Sequence, residues 1–476
     1  MWRHWARRRR SEIAIYLGAA FVLPAALAAP AADFRAGAAG TDITPPRGIP
    51  MAGYYNVRLS EGVHDPLQAK AIVIERDGAK AALAACDLIE IPDAVVQRTR
   101  EMVERSCGIP GRHVMISATH AHTGPVMSST PRGADAKAAA IAREYLSRLP
   151  ERIANAVCQA DGRLQPATAR AGIGRADSIS FARRFLMRDG SVGWNPGKLN
   201  PDIVRPVSGI DPAVPVIYFE SADAAPMAAY VNFALHLDTV GGLEFSADYP
   251  YTLARSLGEA KGPEMLTVFS LGACGNINHI DVKTKERQKG HAEAARIGTV
   301  LAASVLETWP GLRAVDAGAV KARSRRVSLP VVSVTKDDVI KAREVAARFG
   351  TPQAAPFYEQ VQAFKVLAAA ERQGRPMEAE VQVIALGNDV AWVGLPGEVF
   401  VELGQAIKLA SPFPYTVVVE LANGGVDDYI PDRKAYAQGA YEVISTPLLP
   451  GCGEMLVEAA TELLIEIRDP YAPAKR

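Results

Sequence analysis

Short apolar runs of strand length alternate with stretches of helical spacing along this 476-residue chain, and that alternation points to a layered α/β fold. Runs over 67–74 and 79–86, joined at Asp77-Gly78, read as a β-hairpin. Residues 93–107 then carry Val95, Val96, Met102 and Val103 at helical spacing and stop before Gly108-Ile109-Pro110. The apolar run 114–118 leads into Thr119-His120-Ala121-His122-Thr123-Gly124-Pro125. A second pair of runs, 216–219 and 227–235, delivers His236, with Pro215 expected at a strand start or edge. A third pair, 380–386 and 390–393, delivers Leu395-Pro396-Gly397-Glu398. The β-rich run 415–420 precedes Leu421-Ala422-Asn423-Gly424-Gly425 and then Tyr429. Helical patterns over 134–158, 290–308, 335–349, 356–373 and 452–467 supply cover for the sheet faces. The expected fold is a mixed β-sheet core flanked by helices, in a single large domain spanning 33–476. The stretch 190–212, rich in Gly, Pro and Asn, reads as a long surface loop.

Four of these strands end near a residue able to bind a metal or move a proton. Sites in open α/β sheets form just beyond the carboxyl ends of strands. His120 and His122 are two of only eight histidines, and in an extended segment residues i and i+2 share a face. Such a pair can share a metal, or one imidazole can bind it while the other handles a proton; a pair of satisfied loop histidines fits the spacing equally. Glu398 could instead cap the following helix, Tyr429 could be packing and His236 a core histidine. His64 and His113 read as structural, His291 as solvated, and His279 as an intermediate candidate.

Composition narrows the class. With 49% hydrophobic and 22% charged residues the chain has room for a large core, and a formal charge of +1 gives no basis for binding nucleic acid. The cysteines, Cys86, Cys107, Cys158, Cys274 and Cys452, form no Cys-x-x-Cys pair, which argues against a thiolate zinc site, and their odd number leaves at least one thiol unpaired within the chain. Arg7-Arg8-Arg9-Arg10, an apolar stretch over 13–29 and alanines near 25–32 read as a signal peptide over 1–32. Export to the periplasm or the medium is expected, with an uncleaved membrane anchor as the alternative; Pro24 interrupts the apolar stretch.

The Thr119–Pro125 run resembles the Thr-His-Thr-His-Ser-Gly-Pro motif of neutral, non-lysosomal ceramidases. Further likenesses follow in the same order: Gly40-Thr41-Asp42-Ile43-Thr44-Pro45, Met51-Ala52-Gly53-Tyr54, Gly62-Val63-His64-Asp65-Pro66-Leu67, Asn232-Phe233-Ala234-Leu235-His236, Pro396-Gly397-Glu398, and Asp428-Tyr429-Ile430 with Tyr441-Glu442 and Ser445-Thr446. The resemblance implies one Zn²⁺ held by His120, His236, Glu398 and Tyr429, with His122 as the catalytic neighbour. Imidazole and carboxylate suit zinc, and a metal that lowers the pKa of its bound water yields hydroxide able to attack an amide carbonyl.

Two departures bear on the substrate. Where the family reads Gly-Asp-Val-Ser-Pro-Asn, this chain has Gly275-Asn276-Ile277-Asn278-His279, so Asn278 replaces an active-site serine. Arg184 stands near the family's substrate-facing arginine. The chain also stops near where the family's C-terminal β-sandwich would begin. The leading expectation is a zinc amidohydrolase acting on a small-molecule or lipid N-acyl substrate, ceramide-like first, with transient contact to a membrane surface. A hydrolase of another small amide or ester, and a non-catalytic exported binding protein on the same scaffold, are the alternatives.

Overall fold

The computed structural model describes residues 34–426 and 428–468, so the expected signal peptide lies outside the described residues. Two β-sheets stack face to face. The larger runs Leu266–Leu271, Pro226–Phe233, Ala213–Ser221, Gln165–Arg175, Arg35–Asp42, Gln68–Arg76, Ala79–Cys86, Val114–Ala118, with Arg313–Ala314 pairing Gln165–Arg175 from the side. The smaller runs Val320–Leu329, Met377–Leu386, Val390–Gly394, Tyr415–Val419.

Alternate residues of a strand face opposite sides, and here both sides are buried. In Gln68–Arg76, Ala69, Ala71 and Val73 enter the core beneath the helices. Ile72 and Ile74 enter the core between the sheets, with Trp392, Val417 and Val419 of the smaller sheet. Strands buried on both faces read as near-continuous apolar runs, which is why 114–118 and 415–420 stand out in the sequence. Asp93–Cys107 and Ala136–Gly162 cover part of the outer face of the large sheet, tied together by a Cys107–Cys158 disulfide. Val401–Ala410 and Cys452–Ile467 share the core on the outer face of the small one. The layers are therefore helix, sheet, sheet, helix, and the expected mixed sheet flanked by helices is found, doubled.

Within these two sheets three pairs of neighbouring strands run parallel: Ala79–Cys86 with Val114–Ala118, Pro226–Phe233 with Leu266–Leu271, and Val390–Gly394 with Tyr415–Val419. A helix bridges each pair: Asp93–Cys107, Tyr249–Lys261 and Val401–Ala410. Parallel neighbours need such a crossover.

Two readings are corrected. Pro215 lies inside the central strand Ala213–Ser221, not at its start or at an edge. It is tolerated there because the ladder to Pro226–Phe233 begins only at Val216. The stretch 190–212 is not one irregular loop: Val192–Trp194 and Ile203–Pro206 flank Arg184–Met187 in a three-stranded sheet.

Candidate metal centre

Residues 420–423, leaving the small sheet, lace the ends of the large one together. The Ala118 amide donates to the Leu421 carbonyl (3.1 Å), the Asn423 amide to Ile116 (2.8 Å) and the Glu420 amide to Leu271 (3.1 Å). The carboxyl ends of the three parallel pairs thus meet at one place. His120 follows Val114–Ala118, His236 follows Pro226–Phe233, Glu398 follows Val390–Gly394, and Tyr429 follows Tyr415–Val419. Glu398 and Tyr429 lie opposite each other in a short parallel ladder, Glu398–Val399 with Tyr429–Ile430.

His120 and His122 do not converge through strand alternation. The strand stops at Ala118, and His120 takes a left-handed backbone with φ 71°. A side-chain-bearing residue in that region is strained, a cost that surrounding structure must sustain and that clusters at functional sites. The His120 amide bonded to Leu88 (2.8 Å) and the His122 amide bonded to Leu237 (3.2 Å) hold the turn. The three rings of His120, His122 and His236 then gather with centroids 4.8–5.9 Å apart, and each offers a ligand nitrogen within 4.8 Å of the others.

Donor chemistry says what fits among them. His120 Nδ1 faces the Ile89 carbonyl (2.8 Å) and His236 Nδ1 the Cys274 carbonyl (3.1 Å). Carbonyls only accept, so each Nδ1 carries the hydrogen and each Nε2 presents a lone pair. Both Nε2 atoms point at Glu398 Oε2, at 3.4 and 2.9 Å, and that buried oxygen has no hydrogen bond. Converging lone pairs repel unless positive charge sits among them. Burial lowers His236 to about 4, with the Arg183 charge adding to it, so His236 stays neutral. Burial opposes a charge on His120 too, but Glu398 outweighs it and raises that imidazole. The Arg183 guanidinium, 3.2 Å from His236 Nε2, supplies part of that charge; a proton on His120 or a cation supplies the rest, and two imidazoles with a carboxylate suit zinc.

Tyr429 is buried, its ring parallel to His236 (10°, centroids 6.5 Å) with the Arg183 guanidinium 5.1 Å from its centroid. Burial raises its phenol well above the ordinary value, partly offset by Arg183. His122 has no hydrogen bond at either ring nitrogen; its Nδ1 lies 3.6 Å from Asp238 Oδ1, which accepts a hydrogen bond from the Tyr54 hydroxyl. Burial pushes His122 down to about 3. Burial would raise the Asp238 carboxyl, but His122 and Tyr54 outweigh it and keep it below its ordinary range.

The structure does not bring Arg184 and Asn278 to the cleft. Arg184 is fully buried and committed to Glu442 (2.6 Å), Gln438 and the Gly439 carbonyl. Its neighbour Arg183 reaches the cluster instead, 3.2 Å from His236 Nε2 and 2.9 Å from Glu442. Asn278 donates to Asn195 (2.7 Å) and accepts from the Ile280 amide (3.0 Å), so both ends of its amide are committed to the protein.

The cluster floors a cleft of about 450 Å³ lined by Tyr54, Tyr55, His120, His122, Glu398 and Tyr429 among others. An aromatic wall rises beside it: Tyr429 packs on Tyr441 (5.5 Å), Tyr441 on Trp194 (4.4 Å), Trp194 on Phe357 (5.8 Å) and Phe357 on Tyr55 (5.3 Å). The sequence reading does not name Asp238, and it gives Tyr54, Arg183 and the wall residues Tyr55, Trp194, Phe357 and Tyr441 no role in the site. Asp238 carried a signal, since it follows His236 by the spacing that separates His120 from His122.

Gly275 lets the segment after Leu266–Leu271 touch the one that carries Glu398. A Cβ there would lie 2.4 Å from the Glu398 carbonyl oxygen and 2.9 Å from its carbon. Gly275→Ala is expected to displace Glu398 and weaken metal binding by about 10-fold or more, the scale seen when groups supporting ligands are lost, with the circular dichroism spectrum of the fold retained. Unchanged affinity in a metal titration would show that the contact does not position Glu398.

No protein-family model matches the chain. Over 211 residues, 43% of its length, it is 27% identical to the neutral ceramidase of Pseudomonas aeruginosa, and the match covers 30% of that protein. A crystal structure of neutral ceramidase from Pseudomonas aeruginosa superposes with a TM-score of 0.70 at 21% identity, over 93% of this chain and 76% of that one. A ceramidase complexed with C2 gives 0.70 at 20% identity, over 93% and 77%. The matched sequence segment thus spans under a third of the curated relative, while the fold is shared along nearly the whole chain.

Proposed function

We propose, starting from the neutral-ceramidase fold of this chain, that it is a metal-dependent amidohydrolase of N-acyl compounds, with ceramide-like lipids as the first substrate class. The carrying observation is the convergence of His120 Nε2, His236 Nε2 and Glu398 Oε2 on the cleft floor with Tyr429 beside them. These four residues would hold a zinc ion. Zinc bound there would supply Lewis acidity and a water nucleophile at neutral pH.

The remaining groups manage orientation and protons. Neutral His122 faces the cleft with a free nitrogen, placed to take a proton from the attacking water and return it to the leaving amine. Asp238, 3.6 Å from its Nδ1, would stabilise its protonated form. Arg183 places positive charge beside His236 and Tyr429, near where a carbonyl oxygen would gain negative charge. The aromatic wall offers apolar surface to a hydrocarbon chain. Export is part of the proposal: the basic, apolar and alanine-rich start of the chain supports it, as does the Cys107–Cys158 disulfide, a bond that persists in oxidising compartments.

Cleft size favours one second reading. A volume of about 450 Å³ falls within the range of about 300–1,000 Å³ that encloses small ligands, so a compact amide or ester fits where a two-chain lipid would leave its tails outside. Release of amine from ceramide and from short N-acyl amines should be measured with and without chelator. Turnover abolished by chelation and restored by zinc is the expected result. No turnover of any amide by metal-replete protein would overturn the amidohydrolase; ester cleavage alone would select the second reading.

A further inference from the structure

A second group of metal-ligating side chains lies away from the cleft. His64, Asp65 and His291 offer ligand atoms within 4.8 Å of one another, and the two imidazoles stack with centroids 3.6 Å apart. We infer that His64, Asp65 and His291 form a binding site for a divalent transition metal of the zinc class, which clamps the segment joining His236 to the helix Tyr249–Lys261.

Each donor is pinned by its own element. The strand Gly62–Val63 pairs in parallel with Glu244–Phe245, and the His64 amide donates to the Phe245 carbonyl (2.9 Å). Asp65 is buried, with Oδ1 accepting from the Ala247 amide (2.6 Å) and Oδ2 from the Ser246 hydroxyl (2.7 Å), so each oxygen keeps a lone pair for a cation. His291 is the first residue of the helix His291–Thr308, whose start is fixed by the Gly290 amide bonded to the Thr239 carbonyl (2.7 Å). Glu244 acts electrostatically on His291 and adds a further carboxylate nearby.

Two imidazoles and a carboxylate suit zinc and its first-row neighbours, with water completing the shell. Tetrahedral zinc–nitrogen bonds of about 2.0–2.1 Å place donors about 3.4 Å apart, so the observed spread must contract. His64 is exposed and free to change rotamer, which supplies the movement. The consequence reaches the cleft. Asp65 holds Ser246 and Ala247, and Asp248 holds the amides of Thr239 and Val240 (both 2.9 Å). His291 sits one residue past the Gly290 bond to Thr239. A cation joining Asp65 to His291 therefore closes a loop around the segment that carries Asp238.

Zinc binding to tag-free, chelator-stripped full chain tests this. Wild type is expected to bind about two equivalents, one per three- or four-donor site. The surface variant His64→Ala/His291→Ala should bind about one. The cleft variant His120→Ala/His236→Ala should also keep about one, and its Tm should rise by about 2 °C or more in excess zinc. Wild-type stoichiometry in the surface variant overturns the inference. So does zero zinc in a folded cleft variant, a result that leaves the cleft site intact. Should the cleft variant fail to fold, the surface variant decides alone, since His64 lies at the surface.

Discussion

Replacing His236 by alanine is expected to remove one bound zinc per chain and to lower kcat/KM for an amide substrate by about 10³-fold or more. The magnitude follows from what a Lewis acid contributes. Several kcal/mol of transition-state stabilisation are carried by the metal, and each ~1.4 kcal/mol is a factor of ten in rate, so loss of about 4 kcal/mol gives three decades. His236 is the sharpest single test because its Nε2 approaches Glu398 most closely, at 2.9 Å, and its Nδ1 is fixed by the Cys274 carbonyl. His120→Ala should behave alike. Glu398→Gln keeps the shape, removes the anion and relieves the lone-pair repulsion at the cluster, so it should lose zinc without losing stability in the metal-free state. Metal analysis and steady-state kinetics check all three. Retention of the full zinc complement in His120→Ala/His236→Ala would remove the cleft as a metal site.

The parts of the fold set by local periodicity were legible. The helix Asp93–Cys107 and the strand Val114–Ala118 fall where apolar spacing put them, because the helix buries one face at helical spacing and double-sided burial writes an uninterrupted apolar run in the strand. Gln165–Arg175 and Val320–Leu329 were not legible, because exposed arginines interrupt them and one is diluted with alanine and glycine. In the site, strand ends marked His120, His236, Glu398 and Tyr429 as candidates, the resemblance to neutral ceramidases made them a set, and the structure brings them together. Their means of convergence could not: it depends on residues 420–423 bridging two sheets and on a left-handed backbone at His120. Selecting Arg184 over Arg183 fails for a related reason. Neighbouring side chains at a strand start face opposite ways; both guanidiniums bond Glu442, more than 250 residues on, and Arg183 is the one that also reaches His236. The Tyr54–Asp238 contact spans 184 residues and leaves no mark in local pattern.

His122→Ala is expected to lower kcat by about 10²–10⁴-fold, the range for loss of a positioned acid–base group, while zinc stays bound and KM changes little. That split separates a proton-handling role from a ligand role, since His122 makes no contact with Glu398 comparable to those of His120 and His236. Asp238→Asn gives the finer test. At neutral pH Asp238 is a carboxylate 3.6 Å from His122 Nδ1, and its charge raises His122 against the dominant effect of burial, which leaves the imidazole at about 3. Activity that needs neutral His122 is lost only as pH falls through its pKa, so the acid limb contributed by His122 lies below the ordinary imidazole value of about 6.5. Removing the Asp238 charge lowers that pKa further. Asp238→Asn should therefore move the limb to still lower pH and reduce kcat by about 10-fold or more, because the protonated ring loses its stabilising partner. A packing role for Asp238 would change stability and leave the limb in place. Wild-type kcat in His122→Ala would assign proton transfer to another group in the cleft.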